Sequence, residues 1–471
     1  MRSKRTWMTN CVVLGSVSVV FAGSVLASTP DDSDLTAMRA RIAQLEAREA
    51  EQSQLIAQLR EKMFGGNDQA NIQGWLTPAQ SESVRSLVRE TIADADRRQS
   101  LLGDEGNAGW DHGFYLASGD GNFRLRIMGQ IEFRWIYSRQ NNAPSGDNDV
   151  SGFENTRTRL GLKGYIVDPS WSYFIWSAWG STGSSSLLDV YVEKKLDDHW
   201  AVQAGQFKLP NWREWEISET RQQFSERSLL DARYRSLYSQ GVQIHYTTDK
   251  VKLHGAFSDG LQSFNNPWNV NSTNSPYLQA QTDFAFTGRA EILLDGEWKQ
   301  FADFEGWPDE NPGTMIGISG HWQKGESGDA TISNEIIQWS VDMAHECSGF
   351  NLFGAVIGTH VHNDNGINRN EIGFLVQSGV FLNDDWELLA RYEWGDLDGA
   401  GSASGVGEEL SILTVGVSRF WYRHALKFTT DVGYAFRPVN AAWGGAGRGW
   451  RGDGAGEDGQ IVIRSQINLL F

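Results

Sequence analysis

Arginine recurs at alternate positions of several extended stretches. From Phe123 to Tyr137 the odd positions are Phe123, Leu125, Ile127, Gly129, Ile131, Phe133, Trp135 and Tyr137, and the even ones include Arg124, Arg126, Gln130, Glu132 and Arg134. A period of two sends one set to an apolar face and the other to a charged face. Arg157, Arg159, Arg289, Arg391 and Arg464 sit in the same way on the charged face of later stretches. A guanidinium keeps its proton and offers paired N–H donors, so a row of them along a wall would replace the water around an anion. The same face carries Glu132, Asp189, Glu291 and Glu393. These arginines therefore form either an anion track or, through ion pairs, a braced wall.

The elements that must position them are long strands. Alternation recurs in Thr158, Leu160 and Leu162 against Arg157, Arg159 and Lys163, in Leu188, Val190 and Val192, and in Leu426, Phe428, Val432, Tyr434 and Phe436. Segments of about 10 to 14 residues exceed the usual soluble strand and suit tilted membrane strands. The 20 Trp and 12 Tyr gather near strand ends, as at Trp135, Trp179, Trp200, Trp386, Trp394 and Trp421, where interfacial girdles need them. The last stretch places Ile461, Ile463, Ile467, Leu469 and Phe471 on one face and Arg464, Gln466 and Asn468 on the other. Counting such segments from Phe123 predicts an all-β transmembrane barrel of about 16 antiparallel strands, wide enough for a water-filled lumen. Leu196-Asp197-Asp198-His199 and Asn383-Asp384-Asp385 read as short periplasmic turns, and 141–151, 262–282 and the glycine-rich 441–459 as long, flexible outer loops.

The first hundred residues read differently. Arg2, Lys4 and Arg5, an apolar run from Cys11 to Ala22 and Val25-Leu26-Ala27 predict a signal peptide over 1–27. Its removal takes 41 basic residues to 38 against 59 acidic ones, a net charge of −21, which opposes a nucleic-acid partner. Cys347 then stands alone, so no internal disulfide forms. The mean hydropathy is −0.42. Leu35, Ile42, Ile56 and Met63, with Met38, Leu45 and Leu59, mark a heptad seam, so 31–64 is expected to be a periplasmic α-helical coiled coil about 45 Å long. A linker follows over 65–109, with a second amphipathic helix opening at Thr77-Pro78, and the barrel domain takes 110–471.

The stretch after Trp200 carries Gly205-Gln206-Phe207-Lys208, then Pro210, Glu214, Ser218 and Glu226-Arg227-Ser228. With Arg157-Thr158-Arg159-Leu160, Asp189-Val190-Tyr191-Val192, Ala390-Arg391-Tyr392-Glu393 and the closing Phe471, the chain resembles the phosphate-selective porins of the O and P type from about Gly113 to Phe471. The resemblance implies a homotrimer in outer-membrane lipid, passing small anionic or polar solutes such as phosphate by passive diffusion. It also implies a third external loop folded into the pore, here from about Pro210 to Arg235. Lys208, Arg213, Arg221, Arg227, Arg233 and Arg235 are then the constriction cations, set against Glu214, Glu216, Glu219, Glu226 and Asp231. Two positions depart from the family pattern: Thr156 stands where a further arginine is common, and Glu219 where a hydroxyl is common. Both weaken a phosphate site.

A second function class is a structural tether, with the coiled coil contacting the cell wall and a general, non-selective pore. A hydrolase is not expected, since no nucleophile elbow or Ser, His and acid set is present. No cofactor or metal site is predicted. His360, His362 and Asp364 are explained by a strand running into a polar loop, and Gly444-Gly445-Ala446-Gly447 lacks the lysine and helix of a phosphate loop.

Overall fold

The computed structural model describes residues 108–471 apart from 112, 181–183, 264–281, 328, 365, 401–404 and 458. The signal peptide, the coiled coil and the second helix lie outside the described residues. No described helix is long and apolar enough to cross a membrane.

Two short strands, β1 (Ala108–Trp110) and β2 (Phe114–Ala117), precede sixteen long ones. These are β3 (Arg124–Arg139), β4 (Asp149–Ile166), β5 (Asp168–Trp179), β6 (Ser185–Lys195), β7 (Trp200–Lys208), β8 (Tyr238–Thr247), β9 (Val251–Ser258) and β10 (Phe284–Asp295). They continue through β11 (Gly313–Ser327), β12 (Asp329–Cys347), β13 (Phe350–Asn363), β14 (Asn368–Asn383), β15 (Trp386–Asp396), β16 (Leu410–Tyr422), β17 (Leu426–Ala435) and β18 (Ile461–Leu470). Each pairs antiparallel with its neighbours in sequence, and β18 returns to β3 from Ile461↔Arg139 to Leu470↔Gln130. The ring closes, so the expected sixteen-stranded barrel is borne out and no long edge is left to template aggregation.

Sidedness follows from the pleat. Ile131, Phe133, Leu160, Ile244, Ile318, Val376, Leu388 and Ile467 are exposed outward, while Gln130, Glu132, Arg134, Gln377, Asp431 and Arg464 are buried inward. Such an inside-out distribution suits a chain whose outer solvent is hydrocarbon. The last residue locks the seam. Gly129 N–H donates to the Phe471 carbonyl at 2.7 Å, Phe471 N–H donates back at 3.1 Å, and a Cβ on Gly129 would lie 2.1 Å from the phenyl ring. Just past that point β2 takes over pairing with β3, from Phe114↔Ile127 to Ala117↔Arg124.

Three connections fold inward. They are the loop 209–237 after β7, the turn 296–312 after β10 and the loop 436–460 after β17. The last corrects the expectation of a flexible outer loop: Trp443 and Trp450 are buried, within one apolar cluster with Trp212, Leu230, Leu375 and Ile412. Its glycines serve close packing. Gly449 has φ +89°, and a Cβ there would meet Ile136 at 2.2 Å.

The Phe471 lock generates a test. Deleting Phe471 should lower the urea midpoint of vesicle-inserted protein by an amount equivalent to about 1–3 kcal/mol, since two hydrogen bonds and a ring contact are lost. Gly129→Val, which drives a side chain into that ring, should act in the same direction. An unchanged midpoint in both would show that the seam is held elsewhere.

Candidate functional site

The loop 209–237 holds two short helices, α1 (Arg213–Glu216) and α2 (Leu229–Tyr234), with a 3-10 turn at Glu219–Arg221 between them. Ser228 caps α2 by accepting from Asp231 N–H at 3.0 Å. Its own N–H and hydroxyl donate to Glu214 at 2.8 and 2.5 Å, which fastens the second half of the loop to the first. Arg227 completes the fastening by donating to the carbonyls of Glu214 and Ile217 and to Glu219 Oε1 at 2.8, 2.6 and 2.9 Å.

Apolar packing seats this unit against one side of the lumen. Leu229, Leu230 and Tyr234 are buried beside the walls of β14 and β15. Glycines in the wall clear the space: a Cβ on Gly373 would lie 2.7 Å from Leu230, and one on Gly395 2.5 Å from Trp443. Hydrogen bonds then fix the seat. Ser225 N–H donates to Asp431 at 3.0 Å, Leu229 N–H to Glu393 at 2.6 Å, and the Asn211 carbonyl accepts from Ser319 and Ser340 at 2.7 and 2.9 Å.

Most of the expected anion track is spent on this anchoring. Glu226 accepts from Arg134 at 2.8 Å and from Arg157 at 2.9 Å, and Arg157 also meets Glu132 at 2.6 Å. Glu219 is flanked by Arg159 at 3.0 Å, Arg227 at 2.9 Å and Lys208 at 3.7 Å. Arg289 is bidentate to Asp342 at 2.8 and 2.9 Å, Arg464 pairs with Asp431 at 2.7 Å, and Arg391 donates to the Glu226 carbonyl at 2.9 Å. Arg213 reaches Glu291 at 3.4 Å and the Phe301 carbonyl at 2.7 Å, tying the loop to the turn 296–312. Arg233 pairs with Glu371, Arg235 with Asp231 at 3.8 Å, and Arg124 and Arg126 with Asp111 at 2.7 and 3.8 Å.

Burial raises the carboxyls of Glu219 and Glu226, but the surrounding cations win and hold both well below the usual carboxylate range. Glu216 differs. Burial, opposed by Arg289 at 3.5 Å and reinforced by Glu291 and Asp342, pushes its carboxyl up to about 7.

The other side of the lumen stays open. Arg221 at the loop tip and Lys163 on β4 are exposed, and Arg126, Phe174, Tyr191, Glu193, His245 and Lys252 on the facing wall are half-buried. Lys163 lies over the Phe174 ring at 6.0 Å and feels the charges of Arg126, Glu193 and Arg221. Neither Lys163 nor Arg221 has an ion pair among the described residues. The passage therefore runs between the tip of the inward loop and the wall from β3 to β9. Sequence reasoning placed Arg221 at the constriction but did not select Lys163; its inward register opposite Phe174 was the available signal. The two departures now have places: Glu219 is the hub of a cation cluster, and Thr156 is the unpaired residue where the β3–β4 register shifts.

With this geometry in view, the comparisons agree. Residues 128–290 match the family model for phosphate-selective porin O and P. Over that segment the match bears out the resemblance read from the motifs. No curated protein sequence matches the chain. The anion-selective porin of Comamonas acidovorans superposes with a TM-score of 0.53 at 12% identity, covering 74% of this chain and 100% of that one. The outer-membrane channel DcaP of Acinetobacter baumannii superposes with a TM-score of 0.49 at 10% identity, covering 75% and 99%. The matched family segment begins on β3 and ends on β10, so it contains the inward loop and the strands facing the passage.

The anchoring of the inward loop is testable. Glu226→Gln leaves Arg134 and Arg157 buried with one counter-charge fewer, a loss of about 3–5 kcal/mol for a buried pair. We expect the loop to become cleavable by trypsin at Arg221 or Arg227 while the barrel stays inserted. For the parent the carboxylate is held low, so this anchoring is present above the unfolded value near 4.5 and is lost only as the pH falls towards the depressed folded value. Resistance of the loop to an acid-active protease should therefore persist at pH 4.

Proposed function

We propose that the chain is an outer-membrane porin giving passive diffusion of small hydrophilic solutes, with a preference for anions. The observation that carries the anion preference is that Lys163 and Arg221 face one passage without an ion-pair partner among the described residues, while most of the inward barrel and loop arginines lie in ion pairs. An anion in a narrow passage needs fixed positive charge in place of part of its hydration, and only cations without a bonded carboxylate provide it. Arg159 at the passage edge, with Glu219 beside it, offers less net charge. This favours a general anion preference over a dedicated phosphate site.

The outward apolar face supports residence in the outer membrane, with the short turns at 196–199 and 384–385 facing the periplasm. Three channels per assembly, a signal peptide over 1–27 and a coiled coil over 31–64 on the periplasmic side complete the proposal, resting on the family resemblance and on the heptad pattern.

In planar bilayers across a salt gradient, the parent should show a reversal potential of anion-preferring sign. Lys163→Glu with Arg221→Glu should invert it, whereas Arg464→Gln, in the bonded wall, should leave its sign unchanged. A cation-preferring parent would refute the reading. The same current should also depend on pH. As pH rises through about 7, Glu216 of the inward loop gains its negative charge, so anion preference should fall, and Glu216→Gln should flatten that step.

A further inference from the structure

At the turn end of the barrel, away from the solute passage, Asp303, Glu305 and His424 each offer a ligand atom, and these atoms lie within 4.8 Å of one another. His424 belongs to the tight turn between β16 and β17, and the two carboxylates belong to the inward-folded turn 296–312. His424 Nε2 is 3.2 Å from Asp303 Oδ2 and 3.2 Å from Glu305 Oε2. We propose that these three side chains form a binding site for a divalent cation of the zinc class, stapling the inward turn to the barrel wall.

The first argument is geometric. A tetrahedral ion with nitrogen and oxygen ligands at about 2.0–2.1 Å separates those ligands by about 3.3 Å, close to the spacing observed. The second is hydrogen-bond accounting. One imidazole nitrogen carries at most one proton, yet two carboxylate oxygens crowd the same Nε2, and neither contact has hydrogen-bond geometry. A cation held between the three atoms serves both carboxylates at once.

The third argument is charge. Glu305 is fully buried, and its Oε1 has no hydrogen-bond partner; the nearest cation, Lys427, is 3.9 Å away. With the imidazole neutral, as a metal ligand requires, the carboxylates of Asp303 and Glu305 face a single lysine, and a divalent ion compensates the excess negative charge.

The site is also positioned. Trp307 and Phe420 stand edge-on to the His424 ring with centroids at 5.5 and 6.1 Å, fixing its plane. Glu305 N–H donates to Asp303 Oδ1 at 3.1 Å, which orients the other carboxylate oxygen towards the imidazole. A histidine with two carboxylates is the donor set of a borderline ion; calcium sites use oxygen alone.

The test uses full-length protein, stripped with a chelator and titrated with zinc chloride by calorimetry, with metal per chain counted by mass spectrometry. We expect one tightly held ion per chain, and at least about tenfold weaker binding in both Glu305→Gln and His424→Gln, with strand content by circular dichroism unchanged. Zinc not retained by the parent, or retained equally by both variants, would overturn the proposal. Should a variant not assemble, X-ray absorption of the zinc-loaded parent decides. One imidazole nitrogen among oxygens supports the site, and an all-oxygen or sulfur-containing shell, the latter pointing to Cys347, overturns it.

Discussion

Everything inside this barrel depends on the neutralisation of the inward loop's buried carboxylates by arginines of the wall. Glu226 between Arg134 and Arg157, and Glu219 among Arg159, Arg227 and Lys208, hold a long connection within the lumen. A buried carboxylate without such partners would be costly to desolvate, and a buried arginine equally so. Each charge makes the other tolerable, and together they set where the loop sits. The apolar contacts of Leu230 and Trp443 against glycine-cleared wall then seat the loop, but they do not choose its charge.

This constraint divides the lumen into two halves. On the half from β10 to β18, inward side chains are buried under the loop 209–237, the loop 436–460 and the turn 296–312. On the half from β3 to β9, side chains keep contact with the passage, and Lys163 there has no ion pair among the described residues, as Arg221 at the loop tip has none. Selectivity is thus a property of what the anchoring leaves over. Counting arginines on the inner face overstates the positive field, because most of them have a carboxylate within hydrogen-bond reach.

A further contrast concerns the turn end. Short turns suffice to join neighbouring strands, yet 296–312 is long, aromatic and folded inward, with Phe304 against Phe353 and Trp307 between Phe381 and Phe420. It meets the external loop through Arg213 and the Phe301 carbonyl, so contributions from both ends of the barrel touch inside it. Such contacts make the interior one connected polar and apolar network in place of two independent plugs.

The sequence by itself determined the barrel. A period of two is a local property, and the apolar set at Ile127, Ile131 and Phe133 against the charged set at Arg126, Gln130 and Arg134 decides sidedness before any partner is known. The strand number was legible for the same reason, whereas the inward course of the loop after Lys208 was only what the family resemblance implied. Only the tertiary structure decided which charges are free. Arg157 and Lys163 share one strand face, yet one is clamped by Glu132 and Glu226 and the other is open, because the partners come from β3 and from a loop many residues away. The inward packing of the glycine-rich 441–459 and the meeting of Asp303 and Glu305 with His424 were likewise not legible, since contacts across a closed ring depend on its diameter and on which loops turn inward. Periodicity fixes a residue's face; pairing fixes its charge state and so its use.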